Sequence, residues 1–518
     1  MAWRKIGVSL AGILAISTCF GQQNSLFMHH FYRDHYFRLA TENKWSNTGY
    51  FPVAESQAPL NQLIRDSSKQ YNSFTEVLFK KHLFEAKGKD YYVTISPAAD
   101  LQLGKDLSDT NERRLFQNTR GIAVEVDLFT KFSFFTSFFE NQARYSSYQT
   151  AHYQAAGELY PNQSNGQYSL QNASIPSSGR TKPFGNDGFD YAYAMGNMVY
   201  QPCYFLTISA GNTPQFVGHG YRSLLLSDNT APAPFVHLNA TFLSKFEIDV
   251  SRSRLMNLIR KPVSTSVESY YEAKALSTFY FTYKPTSNVR ISLFEGMVWS
   301  KGDSIVSKRV HPLFYVPLPM LGELVLDQEE VNSIQGLNVS WQLKNHHLYG
   351  QWAIGRLSFR HQAWQLGYRG FGLFGLKNWM VQLEYNHVGK GMYTSENERL
   401  NYSHFNHALA HVKGNGFDEF ILRSTFEYKR MYGEIKSVFY HLNEYKNGAL
   451  LPVQRTEPLT NGSLFNNSLE LGYRANRRMN LCVFVNWTLR SEATDVKKLN
   501  NLVFLGLRTG IFNQYTDF

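Results

Sequence analysis

The sequence predicts an all-β fold, a transmembrane antiparallel β-barrel of about 18 strands with a short N-terminal periplasmic helical segment. Three observations predict it. Aromatic residues make up 15% of the 518-residue chain while charged residues reach only 18%, below the roughly 25% of an ordinary soluble protein, a balance that excludes intrinsic disorder. Mean hydropathy is nevertheless −0.35 and the chain contains no run of about 18 apolar residues, which argues against a bundle of transmembrane helices. Segments of alternating apolar and polar residues recur through most of the chain, and a closed barrel is the membrane-spanning structure built that way.

Residues 1–21 read as a signal peptide: Arg4 and Lys5, an apolar stretch from Ile6 to Thr18, then Cys19-Phe20-Gly21 before polar Gln22. The run Ile16-Ser17-Thr18-Cys19 loosely resembles a lipobox and offers acylation at Cys19 as an alternative. Cleavage after Gly21 lowers the net charge from +11 to about +9 and leaves two cysteines, Cys203 and Cys482, too few for a disulfide framework. Residues 22–88 lack period-two alternation and are expected to form a separate periplasmic or plug segment, with helices over Ser25 to Ala40 and Pro59 to Ser68.

The barrel is expected over residues 89–518. In Gly121 to Leu128, Ile122, Val124, Val126 and Leu128 share one face and Ala123, Glu125 and Asp127 the other. Leu337, Val339, Trp341 and Leu343 alternate with Asn338, Ser340 and Gln342, and Trp379, Val381, Leu383 and Tyr385 with Met380, Gln382, Glu384 and Asn386. Leu481, Val483, Val485, Trp487 and Leu489 repeat the pattern. One face suits lipid and the other water. Expected strands run from Lys89 to Leu103 at the start to Leu502 to Phe512 at the end, and an even number places both chain ends on the short-turn side. Turn formers such as Pro285-Thr286-Ser287-Asn288 and Lys344-Asn345 alternate with long loops, among them Ser146 to Gly188, Gly211 to Pro234, Lys301 to Val331 and Gly389 to Phe417. The terminal Phe518 agrees with the aromatic ending that barrel-insertion machinery reads.

No H-E-x-x-H, G-x-S-x-G, phosphate-binding loop or CxxC pair occurs, so neither an enzyme nor a cofactor is expected. His29, His30 and His35 form a local cluster, read here as part of an amphipathic segment rather than a metal site, and His346-His347 are expected to be solvated at a turn. The most distinctive run lies in the loop after a strand: Gly218-His219-Gly220-Tyr221-Arg222-Ser223-Leu224-Leu225-Leu226-Ser227-Asp228. Gly218 and Gly220 suit a tight turn, and an apolar Leu triplet in a wet loop implies that the segment folds back and packs. Two readings follow: a lumenal loop presenting His219, Tyr221, Arg222 and Asp228 to a ligand, or a structural fold-back that constricts the pore.

With the signal peptide and the large barrel, this loop resembles the Wzi-type capsule-assembly outer-membrane protein family, and within it the Bacteroidetes gliding-motility, RemB-like branch. The likeness spans most of the mature chain in layout and is specific in that one loop. It implies a barrel in the cell outer membrane that binds or organises surface polysaccharide, association with gliding or secretion machinery, and no nucleic-acid partner. Outer-membrane lipid and lipopolysaccharide would surround it. Sugars bind by laying apolar faces on aromatic rings, and the long loops offer Tyr145, Tyr148, Tyr153, Tyr160, Tyr168, Phe314, Tyr315 and Tyr393. Arg369, Arg423 and Arg474, on inward phases, would favour acidic polysaccharide. The alternative function is a passive porin or substrate-specific channel.

Overall fold

The computed structural model describes residues 23–25, 29–41, 48–56 and 73–518, apart from 112, 130, 163–164, 166, 261–270, 303–307, 447, 454–458, 495–496 and 511. The signal peptide with Cys19 and the expected helix over 59–68 lie outside these residues.

Eighteen strands follow one another around a closed antiparallel barrel. They are β1 (Tyr91–Asp106), β2 (Arg114–Leu128), β3 (Phe132–Arg144), β4 (Gly188–Cys203), β5 (Leu206–Thr213), β6 (Ala233–Phe242), β7 (Phe246–Arg260), β8 (Tyr271–Tyr283) and β9 (Val289–Ser300). The second half comprises β10 (Val331–Leu343), β11 (His346–Gly355), β12 (Ser358–Phe371), β13 (Trp379–Val388), β14 (Phe417–Tyr428), β15 (Met431–Lys446), β16 (Leu459–Asn476), β17 (Leu481–Ala493) and β18 (Lys497–Arg508). Pairing of β18 with β1, from Leu502 opposite Asp106 to Arg508 opposite Asp100, closes the cylinder and removes the sheet edge.

Period-two alternation sets which residues line the lumen. On β13, Gln382, Glu384 and Asn386 are buried inside while Leu383 is 37% exposed on the outer wall. On β10, Asn338, Ser340 and Gln342 are buried and Trp341 is exposed, and on β17 Val483, Val485 and Trp487 face outward. These exposed apolar side chains form the outer belt of a membrane barrel.

The last strand ends earlier than its sequence pattern suggests. A short strand, Phe84–Lys87, pairs with β1 over Tyr92 to Ile95, on the same edge as β18 and beyond its last pair at Asp100. Thr509 N still donates to Ala99 O, after which the chain turns inward. Phe518 therefore does not end a strand; it is buried in the lumen.

Two helices matter for the interior. Helix α1 (His30–Thr41) sits inside the short-turn end, with Phe31, Tyr36, Phe37 and Leu39 buried. Helix α2 (Ser147–Ala155) follows β3 at the long-loop end, with Ser146 and Gln149 forming its capping box. No helix among the described residues is long and apolar enough to cross a membrane.

Candidate functional site

The loop between β5 and β6 does fold back. Every residue from Thr213 to Ala231 is buried, most unusual for a surface connection. Its entry is held by Phe216 and Val217 pairing with Phe51 and Tyr50, and its hairpin by Val217 opposite Leu226. Ser223 Oγ donates to Val217 O and accepts from Leu225 N and Leu226 N, so one hydroxyl fixes the bend. Gly218 has φ +137°, and a Cβ there would lie 2.3 Å from Gln351 Nε2. Gly220 keeps an ordinary φ; it is needed for space, because its Cβ would lie 2.6 Å from Glu384 Oε2.

The four polar residues singled out in this loop are all buried and engaged by the barrel wall or the C-terminal tail. His219 Nδ1 lies 3.3 Å from Asn338 Nδ2, with His347 edge-on to its ring. Tyr221 O–H donates to Asp517 at 2.8 Å, and its backbone N–H donates to Glu384. Arg222 donates through Nε and Nη2 to Glu419 at 3.1 Å each, and through Nη2 to Tyr440 OH at 3.0 Å and Asp517 at 2.8 Å. Asp228 accepts from Tyr515 OH at 2.7 Å and Asn513 Nδ2 at 2.8 Å.

Charge explains this arrangement. Burial opposes a charged guanidinium, but Asp517 and Glu419 outweigh it and hold Arg222 well above its ordinary value. Burial likewise opposes ionised Asp517, but Arg222 and Lys436 outweigh it and hold the carboxyl far below the usual carboxylate range. Tyr221, buried beside Asp517, is pushed up to about 12 and stays a neutral donor.

The partners that complete the cluster, Glu384, Glu419, Lys436 and Asp517, were not singled out by motif. The available signal was phase: Glu384 stands on the polar face of β13, where a lone carboxylate facing a lumen needs a cation or backbone N–H donors. Asp517 gave no such signal, because its position follows from the tail's inward turn.

The remaining candidates are also placed. Arg423 bridges Asp34 of α1 at 2.7 Å and Glu434 at 2.9 Å; Arg474 pairs with Glu427 at 2.6 Å; and Arg369 lies over the Phe37 ring. These inward arginines thus hold α1 against the wall. His30 stacks on Tyr221 at 4.7 Å, and no group of three or more metal-type ligands occurs among the described residues. His346 is exposed, but His347 is buried against Phe37 and His219 because the strand phase turns it inward. Of the loop aromatics, Tyr153, Phe314 and Tyr393 are buried, and Tyr315 is 71% exposed. Cys203 and Cys482 are free thiols.

One cavity borders the cluster and a second lies apart from it. The inner one, about 290 Å³, lies toward the short-turn end between α1, the tail and the polar strand wall, with His30, Tyr221, Glu434, Lys436, Gln514 and Asp517 among its lining. The outer one, about 420 Å³, lies at the long-loop end, lined by Tyr145, Ser146, Thr150, Asn186, Asp187 and Phe189 among others. Both fall near the size of small-molecule pockets.

No family model matches the chain, and no curated protein matches it. Among solved structures, it is similar to Wzi, an outer membrane protein involved in group 1 capsule assembly in Escherichia coli and described as a carbohydrate-binding β-barrel. That likeness has a TM-score of 0.54 at 12% identity and covers 95% of this chain and 100% of Wzi. OccK8 (OprE) of Pseudomonas aeruginosa gives 0.41 at 9% identity, covering 80% of this chain and 97% of that one. OprD of the same organism gives 0.41 at 9%, covering 80% and 94%. At such identities the likeness to Wzi is one of fold: this chain has an outer-membrane type of barrel.

Proposed function

We propose that this chain is a non-enzymatic barrel of the cell outer membrane that binds or organises surface polysaccharide, with its long loops outside and its chain ends in the periplasm. The observation that carries this reading is the filled lumen. Unbroken burial from Thr213 to Ala231, with α1 below and the C-terminal tail alongside, suits a barrel that holds a ligand at its mouth better than one that passes solutes. The fold likeness to a carbohydrate-binding barrel supports the same direction. The outer cavity offers what a sugar ring requires, aromatic Tyr145 and Phe189 beside hydroxyl, amide and carboxylate groups. Gliding or secretion machinery is the protein partner this reading proposes.

Two measurements test it. Purified protein in planar bilayers should stay nearly closed, and a glycan array or surface-polysaccharide pull-down should capture a glycan. Large steady currents would instead favour a porin or substrate-specific channel, and absence of any glycan would remove the binding reading.

A further inference from the structure

The C-terminal tail contributes a feature that a closed barrel does not require. From Gly510, whose N–H donates to Met479 O at a short turn, residues 512–518 climb through the lumen to α2 at the opposite end. Asn513 accepts from His30 N and donates to Asp228; Tyr148 O–H donates to Thr516 O; and the Phe518 ring stacks on His152 at 4.0 Å. The side chain of Asp517 sits between two buried cations, 2.8 Å from Arg222 and 2.9 Å from Lys436.

The charge count there depends on the tail. Arg222 and Lys436 bring two cations; Glu419 answers Arg222, and nearby Glu434 is engaged by Arg423. Asp517 is the carboxylate in ion-pair contact with Lys436, and Arg222 Nη1 meets no acceptor among the described residues. Lys436, Tyr221 and Asp517 all border the inner cavity, as do Asn513, Gln514 and Thr516. Withdrawing the tail would merge its own volume with that cavity and present Lys436 and the Tyr221 hydroxyl, with Arg222 behind them, to whatever entered.

We infer that residues 512–518 are a built-in ligand, with the Asp517 carboxylate occupying a lumenal site that takes the carboxylate of an acidic saccharide when the tail is displaced. This rests on the polysaccharide reading above and narrows it to uronate-bearing chains. The side chain of Asp517 serves as the template: two cationic donors and one phenol converge on one carboxylate, a set of charge-assisted hydrogen bonds that a uronate can reproduce and a neutral sugar cannot.

Titration calorimetry on the detergent-solubilised full barrel tests this with digalacturonate as probe and cellobiose as neutral control. The variants are Asp517→Asn, which keeps the tail's shape, and a chain ending at Ile511. Each is checked for folding by its heat-modifiable mobility. Both should bind digalacturonate at least about ten-fold more tightly than wild type, since each frees a charge-assisted pair, with cellobiose unchanged. Adding Arg222→Met to Asp517→Asn should reverse the gain. If folded Asp517→Asn binds digalacturonate no better than wild type, or gains equally for cellobiose, the inference is overturned. A wild-type barrel that captures surface glycan while the tail variants gain nothing would sink the inference and leave the function standing. Gained uronate affinity in a barrel that captures no surface glycan would do the reverse.

Discussion

Replacing Arg222 by Met keeps most of the side-chain volume and removes only the guanidinium. Four hydrogen bonds disappear: two to Glu419 at 3.1 Å, one to Tyr440 at 3.0 Å and one to Asp517 at 2.8 Å. Neither carboxylate is left bare. Glu419 keeps His411 at 2.7 Å and Asn386 at 2.8 Å, while Asp517 keeps Lys436 at 2.9 Å and Tyr221 at 2.8 Å. Breaking a buried ion pair by removing one partner costs about 3–5 kcal/mol, and the surviving donors place this case near ~3. The backbone bonds from Tyr221 and Arg222 to Glu384 persist, so the loss should fall on docking of the loop and tail rather than on the barrel. Hydrogen exchange of amides in residues 217–228 should quicken by roughly a hundred-fold at ~3 kcal/mol while the strand amides hold. Exchange in the loop within about three-fold of wild type would refute the claim that this cluster holds it.

Other consequences follow from the same geometry. Gly218→Ala places a Cβ 2.3 Å from Gln351 Nε2 at φ +137°, and should destabilise the loop by at least about 2 kcal/mol in the same exchange assay. Asp517 contributes pH-dependent docking of known sign: its folded value is depressed, so its contribution is full above the unfolded value of about 4 and is lost only as pH falls below that. Tail fluorescence or exchange protection should therefore be flat from about pH 5 to 8 and change only in stronger acid. Because Phe518 lies inside the lumen, a chain ending at Ile511 should still insert into the outer membrane; failure of heat-modifiable folding would show that the tail is read during assembly. Cys203, half-buried at the short-turn end, should escape a membrane-impermeant maleimide on intact cells and react once the outer membrane is opened. Labelling on intact cells would invert the proposed orientation.

Strand number and facing were legible because they depend on local alternation: a residue on β10 or β13 faces lipid or lumen according to parity alone, and closure needs nothing further. The inward fold of the β5–β6 loop was also legible, since the Leu224-Leu225-Leu226 triplet that follows Gly218 and Gly220 has no stable place in water. The end of β18 was not. Its expected extent runs on to Phe512, but the strand stops at Arg508 and the chain enters the lumen, where Asn513, Tyr515 and Asp517 find partners on α1 and the β5–β6 loop that lie far away in sequence. His347 reads as a turn residue, yet its phase buries it against α1.

The sequence by itself determined the wall: which faces are apolar, where the chain turns, and that one loop must pack. Tertiary structure decided the interior. The joining of Arg222 to Glu419, Lys436 and Asp517 depends on contacts across 81 to 295 residues, and no periodicity encodes these. They arise because unpaired charges in a closed lumen are costly enough that the chain's own tail becomes their counter-ion.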